Sequence, residues 1–349
     1  MKLIEILEEL IRIESVTGNE GKLQEWLKKY LEQRGFEVKL QEVLPHRPNL
    51  YAQRGSSNML IATHADTVPA WEHPYAFLPF QKDGRVYGRG AIDTKGQIAS
   101  LLKAIDECDY PCEIAIFVDE EKDGRGSESF VPPKRYDFAI VLEPTELKVA
   151  YGEMGGISLE IEVKGKFAHG STPYAGKNAI EEALDLYQKI KEIALSQEKS
   201  PCSSLNPWIN LGKIEGGRDS YVVPDYCRIA IEIGILPGNR AIDVFEKISP
   251  LLKEKNYHLK DIDDPIEIEK DNPILELIAS IYDEIGLKFE KTFFPSWSDA
   301  HNLATKGIPS LILGAGKLEL AHTPSEFVDL KELEQLKEII KALLRLTQT

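Results

Sequence analysis

Cysteine, basic residues and long apolar runs are all scarce in this sequence of 349 residues, and each scarcity argues against a class of protein. The four cysteines, Cys108, Cys112, Cys202 and Cys227, lack C-x-x-C spacing, so neither a disulfide framework nor a thiolate zinc site is predicted. The net charge of −15 argues against a general nucleic-acid binder, because nonspecific affinity for nucleic acid comes from basic clusters. No apolar run approaches the ~20 residues that span a bilayer.

The remaining composition is that of an ordinary globular protein, with 42% hydrophobic and 28% charged residues. The length corresponds to roughly two domains of about 150 residues each. The first residues form an acidic amphipathic pattern and lack the basic, apolar and small-residue order of a signal peptide. We therefore expect a cytoplasmic protein that binds neither nucleic acid nor a membrane.

The order of apolar patterns predicts two domains, one inserted into the other. Strand-like and helical patterns alternate up to residue 154, which favours a mostly parallel sheet covered by helices. From residue 155 the pattern changes to the period of two that is typical of a half-exposed antiparallel strand. The final strand and helix resemble the first part again. We predict one domain from residues 1–154 and 265–349, and an inserted domain from residues 155–264. The inserted domain is expected to contain one small sheet and two helices, the second of them over residues 240–255.

One buried strand, predicted at residues 59–62, ends in a histidine and an aspartate. His64 lies at the carboxyl end of this strand, where catalytic groups gather in open α/β sheets. If the backbone stays extended, Asp66 points to the same side and its carboxylate can accept the ring proton of His64. That arrangement is typical of a histidine that binds a metal.

Other acids and one histidine also follow predicted strands or the loops beyond them: Asp93, Asp119, Glu120, Glu121, Glu143 and His322. A surface position would explain any one acid, but an unpaired charge against a buried strand costs several kcal/mol. Two histidines with three carboxylates suit a pair of zinc ions that share one carboxylate. Such a pair activates water for attack on a carbonyl.

The motifs that carry these residues are HADTVP at 64–69, GRGAIDTKG at 88–96, DEE at 119–121, EP at 143–144, KFAHGS at 166–171 and AHTPSE at 321–326. In their order they resemble the co-catalytic zinc peptidase and deacylase family that includes acetylornithine deacetylase, succinyl-diaminopimelate desuccinylase, aminoacylase and glutamate carboxypeptidase. The resemblance covers nearly the whole chain.

This resemblance implies a zinc-peptidase-like catalytic domain, with a mixed, mostly parallel sheet sandwiched by helices, and an inserted α+β, ferredoxin-like lid that dimerises. It implies two Zn²⁺ per chain, for which Co²⁺ or Mn²⁺ can substitute. Asp93 would bridge the metals and precede a cis peptide bond. His64 and Glu143 would complete one metal site, and Glu121 and His322 the other.

The resemblance also implies roles outside the metal ligands. Asp66 would orient His64, and Glu120 would be the general base. His169 would reach the active site of the partner subunit in a homodimer, although a loop histidine that caps the following helix is the alternative. The predicted substrate-binding residues are His169, Arg228, Gly314 and Gly316.

Two departures from the family pattern affect the substrate and not the metal chemistry. Tyr221 stands where relatives usually have an asparagine, and Gly234 where many have an arginine. Losing an arginine removes a bidentate partner for a substrate carboxylate. Arg218, Arg228, Arg240 or Lys317 could take its place.

We therefore predict a zinc-dependent amidohydrolase of amino-acid biosynthesis that cleaves a small N-acyl amino acid. Glu143, where di- and tripeptidases have aspartate, favours a deacylase. A carboxypeptidase or dipeptidase acting on short peptides is the first alternative, and an inactive metal-dependent binding or assembly protein is the second.

Several residues stay outside this pattern. His46, His73, His258 and His301 are expected at the surface or in loops. Trp71 and Trp297 either line a pocket or pack, and the pair Ser298 and Asp299 is expected to support the site.

Overall fold

The computed structural model describes residues 1–199 and 205–346, and its contacts divide the chain into two units. The first unit contains residues 1–151, 268–292 and 298–346 of the described chain, and the second contains Gly152–Glu267 and Phe293–Trp297. Cys108, Cys112 and Cys227 are free thiols, and Cys202 lies outside the described residues. Among the described helices, none is long and apolar enough to cross a membrane.

The elements are numbered in chain order. The helices are α1 (Leu3–Arg12), α2 (Gly21–Glu32), α3 (Lys95–Glu107), α4 (Arg125–Ser129), α5 (Ala179–Leu195), α6 (Ala241–Ile248), α7 (Pro273–Glu284), α8 (Asp299–Thr305) and α9 (Leu330–Arg345). The strands up to the inserted residues are β1 (Glu37–Leu44), β2 (Arg47–Arg54), β3 (Met59–His64), β4 (Phe80–Lys82), β5 (Arg85–Tyr87), β6 (Cys112–Phe117), β7 (Phe138–Val141) and β8 (Val149–Glu153). The later strands are β9 (Gly155–Lys164), β10 (Ala168–His169), β11 (Ile209–Gly216), β12 (Val222–Val223), β13 (Tyr226–Ile235), β14 (Asn256–Asp263), β15 (Ile266–Glu267), β16 (Lys291–Phe294), β17 (Ser310–Ile312) and β18 (Phe327–Asp329).

A mixed sheet forms the centre of the first unit, with strands in the order β1-β2-β6-β3-β7-β17-β8. The four central strands are parallel, whereas β1, β2 and β8 pair antiparallel at the two sides. Every residue of β3 and β6 is buried, as their continuous apolar sequences predict. The prediction of a mixed, largely parallel sheet flanked by helices is therefore confirmed.

The helices of the first unit bury the apolar stripes that the sequence indicates. In α1, Leu3, Ile6, Leu7, Leu10 and Ile11 are all buried. This helix packs on α3, and α3 packs on α9. Helix α8 packs on α4 and on β3, β7 and β17. Asn272 caps α7 by accepting a hydrogen bond from the Ile274 N–H, and Pro273 occupies its first turn.

The second unit contains an antiparallel sheet in the order β11-β13-β9-β14, with α5 and α6 packed on it. The chain order β9-α5-β11-β13-α6-β14 is the β-α-β-β-α-β succession of ferredoxin-like domains. Alternate residues of β9 are buried, and they contribute Ile157, Leu159, Ile161 and Val163 to the core of this unit. The predicted period of two therefore has a structural cause, because only one face of the sheet is covered by helices.

Two local predictions were wrong. The helix expected over residues 240–255 ends at Ile248, and a 3₁₀ turn, Ser249–Leu252, follows, since Pro250 lacks the N–H that an α-helix needs. His301, expected at the surface or in a loop, is only 8% exposed, whereas His73 is 6% exposed but lies in a loop, as expected. His301 lies within α8, whereas His46 and His258 are exposed.

Gly234 in β13 lies under an indole ring. A Cβ atom at this position would come within 2.4 Å of Trp208 Cε2 and 2.7 Å of Met154 Cε, and Trp208 Nε1 donates a hydrogen bond to the Pro295 carbonyl. Trp208 therefore fills the space beside the backbone where many relatives carry an arginine side chain.

We expect Gly234→Ala to lower stability by about 1–3 kcal/mol, because the rigid indole must move to admit one methyl group. Gly156 is the matched control, since it pairs with Gly234 across β9 and β13 and has no atom within 4 Å of its Cβ position. Thermal unfolding of the two variants should show a lower midpoint for Gly234→Ala only. Equal midpoints would contradict the proposed packing.

Candidate metal centre

Three parallel strands bring the predicted site residues to one edge of the sheet. His64 is the last residue of β3, which lies between β6 and β7. Glu120 and Glu121 follow β6, and Glu143 follows β7. Because parallel strands present their carboxyl ends at the same edge, these side chains converge.

The first cluster surrounds the Nε2 atom of His64. This atom lies 3.1 Å from Asp93 Oδ1, 3.5 Å from Glu143 Oε1 and 3.8 Å from Glu120 Oε2. His64, Asp93 and Glu143 are buried, at 1%, 7% and 3% exposure. His64, Glu120 and Glu143 could together hold a metal ion.

The second cluster surrounds the Nε2 atom of His322, which lies 2.9 Å from Glu121 Oε2 and 3.3 Å from Asp93 Oδ2. Asp93, Glu121 and His322 could likewise hold a metal ion. The two oxygens of Asp93 therefore face different histidines, which is the arrangement that a bridging carboxylate requires.

The electrostatics of these clusters fit bound cations. Burial opposes protonation of His322, but hydrogen bonds to Asp93 and Glu121 raise its pKa to about 11. Burial raises the pKa of Glu143 well above its usual value, and the charge of Asp93 adds to that effect, although His64 opposes it. The buried Oε1 atom of Glu143 has no hydrogen-bond partner among the described residues. Nitrogen and oxygen donors with this excess of negative charge suit divalent metal ions.

The prediction that the Asp66 carboxylate accepts the ring proton of His64 was wrong, because a different oxygen of Asp66 makes the contact. His64 Nδ1 donates to the backbone carbonyl of Asp66 at 3.0 Å, whereas the carboxylate is 3.6 Å away. The carboxylate instead accepts hydrogen bonds from the N–H groups of Glu120 and Glu121 and from the Thr17 hydroxyl. Asp66 therefore orients His64 through its backbone and holds the Glu120–Glu121 loop through its side chain.

An ion-pair cluster around the buried Asp119 carboxylate holds the other side of this loop. The Asp119 carboxylate accepts from Arg47 at 2.6 Å and from Arg125 at 2.5 Å, and Arg47 also donates to Glu20. Burial alone would raise the pKa of Asp119, but the two arginines outweigh that effect and lower it. Asp119 has φ of +70°, so these ion pairs stabilise an uncommon backbone conformation directly before Glu120.

The peptide bond between Asp93 and Thr94 is cis, as predicted. The Thr94 hydroxyl donates to the His64 carbonyl at 2.9 Å.

Comparison with known proteins identifies the family. The sequence model of peptidase family M20/M25/M40 matches residues 60–347. The chain belongs to this family.

Individual relatives agree with this membership. An acetylornithine deacetylase of Vibrio campbellii is 27% identical over 373 residues, which cover 97% of this chain and 96% of the relative. A Pyrobaculum aerophilum protein provisionally named LysW-lysine/LysW-ornithine hydrolase is 29% identical over 352 residues, which cover 98% of this chain and 96% of that protein. Family membership and these relatives make the chain a metal-dependent amidohydrolase.

Solved structures share the fold. A tripeptidase from Staphylococcus aureus has a TM-score of 0.83 at 22% identity, with 99% of this chain and 98% of that chain covered. An M20 metallo-carboxypeptidase from Sulfolobus solfataricus has a TM-score of 0.80 at 17% identity, with 99% of each chain covered.

Gly314 and Gly316 both form hydrogen bonds within the M20 fold through their backbone N–H groups. The Gly314 N–H donates to the Thr145 hydroxyl, and the Gly316 N–H donates to Glu332. A Cβ atom at Gly314 would lie 2.4 Å from the Glu143 carbonyl oxygen. These N–H groups are therefore already engaged, and a contact between either glycine and a substrate stays a prediction.

The cations considered as replacements for the family arginine differ in their surroundings. Three of them form ion pairs: Arg228 with Glu160, Arg240 with Asp243, and Lys317 with Glu146. The Arg218 guanidinium lies 5.2 Å from the centre of the Phe167 ring. Arg228 is thus engaged within its own sheet, and its predicted contact with substrate is not supported by this geometry.

His169 lies in β10 of the second unit, where it pairs with Val222 of β12. Its Nδ1 atom accepts a hydrogen bond from the Ser171 N–H at 3.2 Å, so in the neutral ring the proton is on Nε2. The alternative role as a helix cap is wrong, because Asn178 caps α5 with its own side chain.

Two features of the site could not be assigned firmly from the sequence. Asp299 at the start of α8 is fully buried, and this burial raises its pKa to about 7, with His64 opposing and Asp66 adding to the shift. Its buried carboxyl group is therefore easily protonated, and its place at the start of α8 beside the first cluster agrees with the expected supporting role. Trp71 is 57% exposed and lies beside His322, which excludes a role in the core.

Proposed function

We propose that this M20 hydrolase cleaves the amide bond of a small N-acyl amino acid, as a deacetylase or desuccinylase does. The observation that carries the proposal is the position of Asp93, whose two oxygens face His64 and His322 separately. The acetylornithine deacetylase named among the relatives supports the substrate class. Glu143, in place of the aspartate of di- and tripeptidases, favours a deacylase over a carboxypeptidase or dipeptidase.

Two zinc ions per chain are the proposed cofactors, with Co²⁺ or Mn²⁺ as substitutes. His64 and Glu143 would hold one ion, Glu121 and His322 the other, and Asp93 both. A bound pair would polarise the amide carbonyl and lower the pKa of a water molecule between the ions. The donor set supports zinc, because imidazole nitrogen and carboxylate oxygen are common zinc ligands.

Glu120 is the proposed general base. Its carboxylate lies 3.8 Å from His64 Nε2, slightly farther than that of Glu143, so it can serve without being a ligand. Burial raises the pKa of Glu120 well above its usual value, and the charges of Glu143 and Glu121 add to the shift while His64 opposes it. A carboxylate with a raised pKa accepts a proton from water and returns it to the leaving amine.

His169 is proposed to act in the active site of a partner subunit, in a homodimer formed through the lid. An oxyanion that develops on the amide carbonyl needs a positioned hydrogen-bond donor. Support comes from the exposed position of His169 and from its Nδ1 contact with Ser171, which leaves Nε2–H free to donate. From the proposed substrate class we also propose a role in amino-acid biosynthesis in the cytoplasm.

A second candidate is release of lysine or ornithine from a LysW conjugate, as the name of the Pyrobaculum relative states. The observation that favours it is the similarity to that relative over 98% of this chain.

We expect a chelator to abolish hydrolysis and zinc, cobalt or manganese to restore it, with two metal ions bound per chain. The assay uses a panel of N-acetyl and N-succinyl amino acids, dipeptides and a LysW-lysine conjugate, with metal content measured by mass spectrometry. Turnover of the acyl amino acids alone supports the proposal. Hydrolysis of the dipeptides alone would instead indicate a dipeptidase, and hydrolysis of the LysW-lysine conjugate alone would indicate the second candidate function. Two bound metals without any turnover would favour the inactive binding protein.

A further inference from the structure

Trp71 presents an exposed indole ring at the metal centre. The centroid of its ring lies 6.5 Å from that of the His322 ring, in an edge-on arrangement. The residue is 57% exposed, and the side chain of His322 is 44% exposed. Water that reaches His322 therefore also reaches the indole ring.

Other contacts hold the ring in this place. The Arg89 guanidinium lies 5.6 Å from the ring centre, and Arg89 is itself buried against Glu326, with a distance of 2.5 Å between Nη1 and Oε2. Arg89 Nε donates to the Pro69 carbonyl, which fixes the chain just before Trp71. These contacts order the ring before any substrate binds, which reduces the entropy cost of a contact.

The backbone at Trp71 is also unusual, with φ of +42°. A left-handed conformation is rare for a bulky residue and costs about 1–3 kcal/mol. The turn that imposes it is closed by the hydrogen bond from the His73 N–H to the Ala70 carbonyl. The ring remains exposed in this conformation, so burial in the core does not offset the strain.

We propose that Trp71 contacts an apolar part of the substrate beside His322 and thereby selects substrates with longer hydrocarbon groups. This inference rests on the proposed function. The surface of an indole ring is mostly apolar and gains free energy when hydrocarbon covers it. The Arg89 guanidinium already lies over the ring, so a second cation is disfavoured there relative to an uncharged group.

Alkyl hydroxamates test the contact without any need for turnover, because the hydroxamate group chelates metal ions and leaves its tail free. Acetohydroxamate, butanohydroxamate and hexanohydroxamate are titrated into the zinc-loaded protein by calorimetry. We expect affinity to rise roughly 2- to 4-fold per methylene group in the parent protein and in Trp71→Phe. In Trp71→Ala the dependence on tail length should disappear, while acetohydroxamate binds within about 3-fold of the parent.

Tyr75→Ala is the matched control, because Tyr75 is an equally exposed aromatic residue of the same loop that packs against Phe80. It should keep the dependence on tail length. Hexanohydroxamate should also shift the tryptophan fluorescence of the parent, and this shift should be absent in Trp71→Phe.

The other possible results of these titrations each contradict a different part of the proposal. An unchanged dependence in Trp71→Ala overturns the contact and leaves the proposed function intact. Weaker binding of all three hydroxamates by the same factor in Trp71→Ala also overturns it, because Trp71 then only supports His322. If no hydroxamate binds the zinc-loaded parent, both the proposed metal centre and the proposed contact with Trp71 are wrong.

Discussion

Glu120→Ala should retain two metal ions per chain and lose hydrolytic activity by roughly 10²- to 10⁴-fold, the usual effect of removing a general acid or base. The test is needed because the geometry of the side chains alone admits a second interpretation. Glu120 could join His64 and Glu143 as a ligand of the first metal. Removal of a general base leaves the metal ion bound, whereas removal of a ligand weakens metal binding.

Glu121→Ala is the matched control for this prediction. Glu121 is the next residue in the same loop, and its N–H, like that of Glu120, donates to the Asp66 carboxylate. Its own carboxylate contacts His322 at 2.9 Å. We therefore expect Glu121→Ala to lose metal and activity together. Mass spectrometry of the metal content and kcat measured at saturating zinc compare the two variants. Loss of one metal ion from the Glu120→Ala protein would show that Glu120 is a ligand.

The convergence of the candidate ligands at one edge could be predicted from the sequence, because it depends on one simple property of the sheet. Continuous apolar runs mark β3, β6 and β7, and parallel strands bring the residues that follow them to one edge. The apolar run before His64 and the acids after the next two runs therefore indicate a shared site. The bridging role of Asp93 needed the family resemblance, since this residue lies in a loop before α3 and not directly after a strand.

Roles that depend on side-chain direction in a loop could not be predicted. The expected bond between the Asp66 carboxylate and His64 assumed an extended chain beyond β3. In the structure the Asp66 backbone carbonyl accepts the hydrogen bond from the His64 ring, and the carboxylate accepts hydrogen bonds from the N–H groups of Glu120 and Glu121. Local spacing gives the residue types, but the partners of the Asp66 carboxylate come from segments 49 to 55 residues away.

Contacts between distant segments explain the other differences. Arg47 stabilises Asp119 from 72 positions away, and nothing in the sequence near either residue indicates the pair. The burial of His73 and His301 is likewise a tertiary property. Trp208 lies 26 positions before Gly234, so its position over that glycine was not visible in the departure from the family pattern.

The second large effect concerns His169. Removal of one hydrogen-bond donor to an oxyanion typically lowers turnover by 10²- to 10³-fold. Because Ser171 donates to Nδ1, the ring is oriented with Nε2–H outward, and His169→Ala removes that donor. We expect His169→Ala to retain its metal and to lose activity by this factor. The loss alone, however, does not tell which subunit receives the histidine.

Heterodimers distinguish the two possibilities. If each active site takes Glu120 from one chain and His169 from the other, a dimer of Glu120→Ala with His169→Ala has one doubly defective site and one intact site. Coexpression with two affinity tags isolates this dimer, and its activity should return to about half that of the parent dimer. The double variant paired with a parent chain provides the control, because it places one defect in each site and should stay nearly inactive. If His169 acts within its own chain, the two results are exchanged: the first dimer stays inactive and the control retains about half the activity.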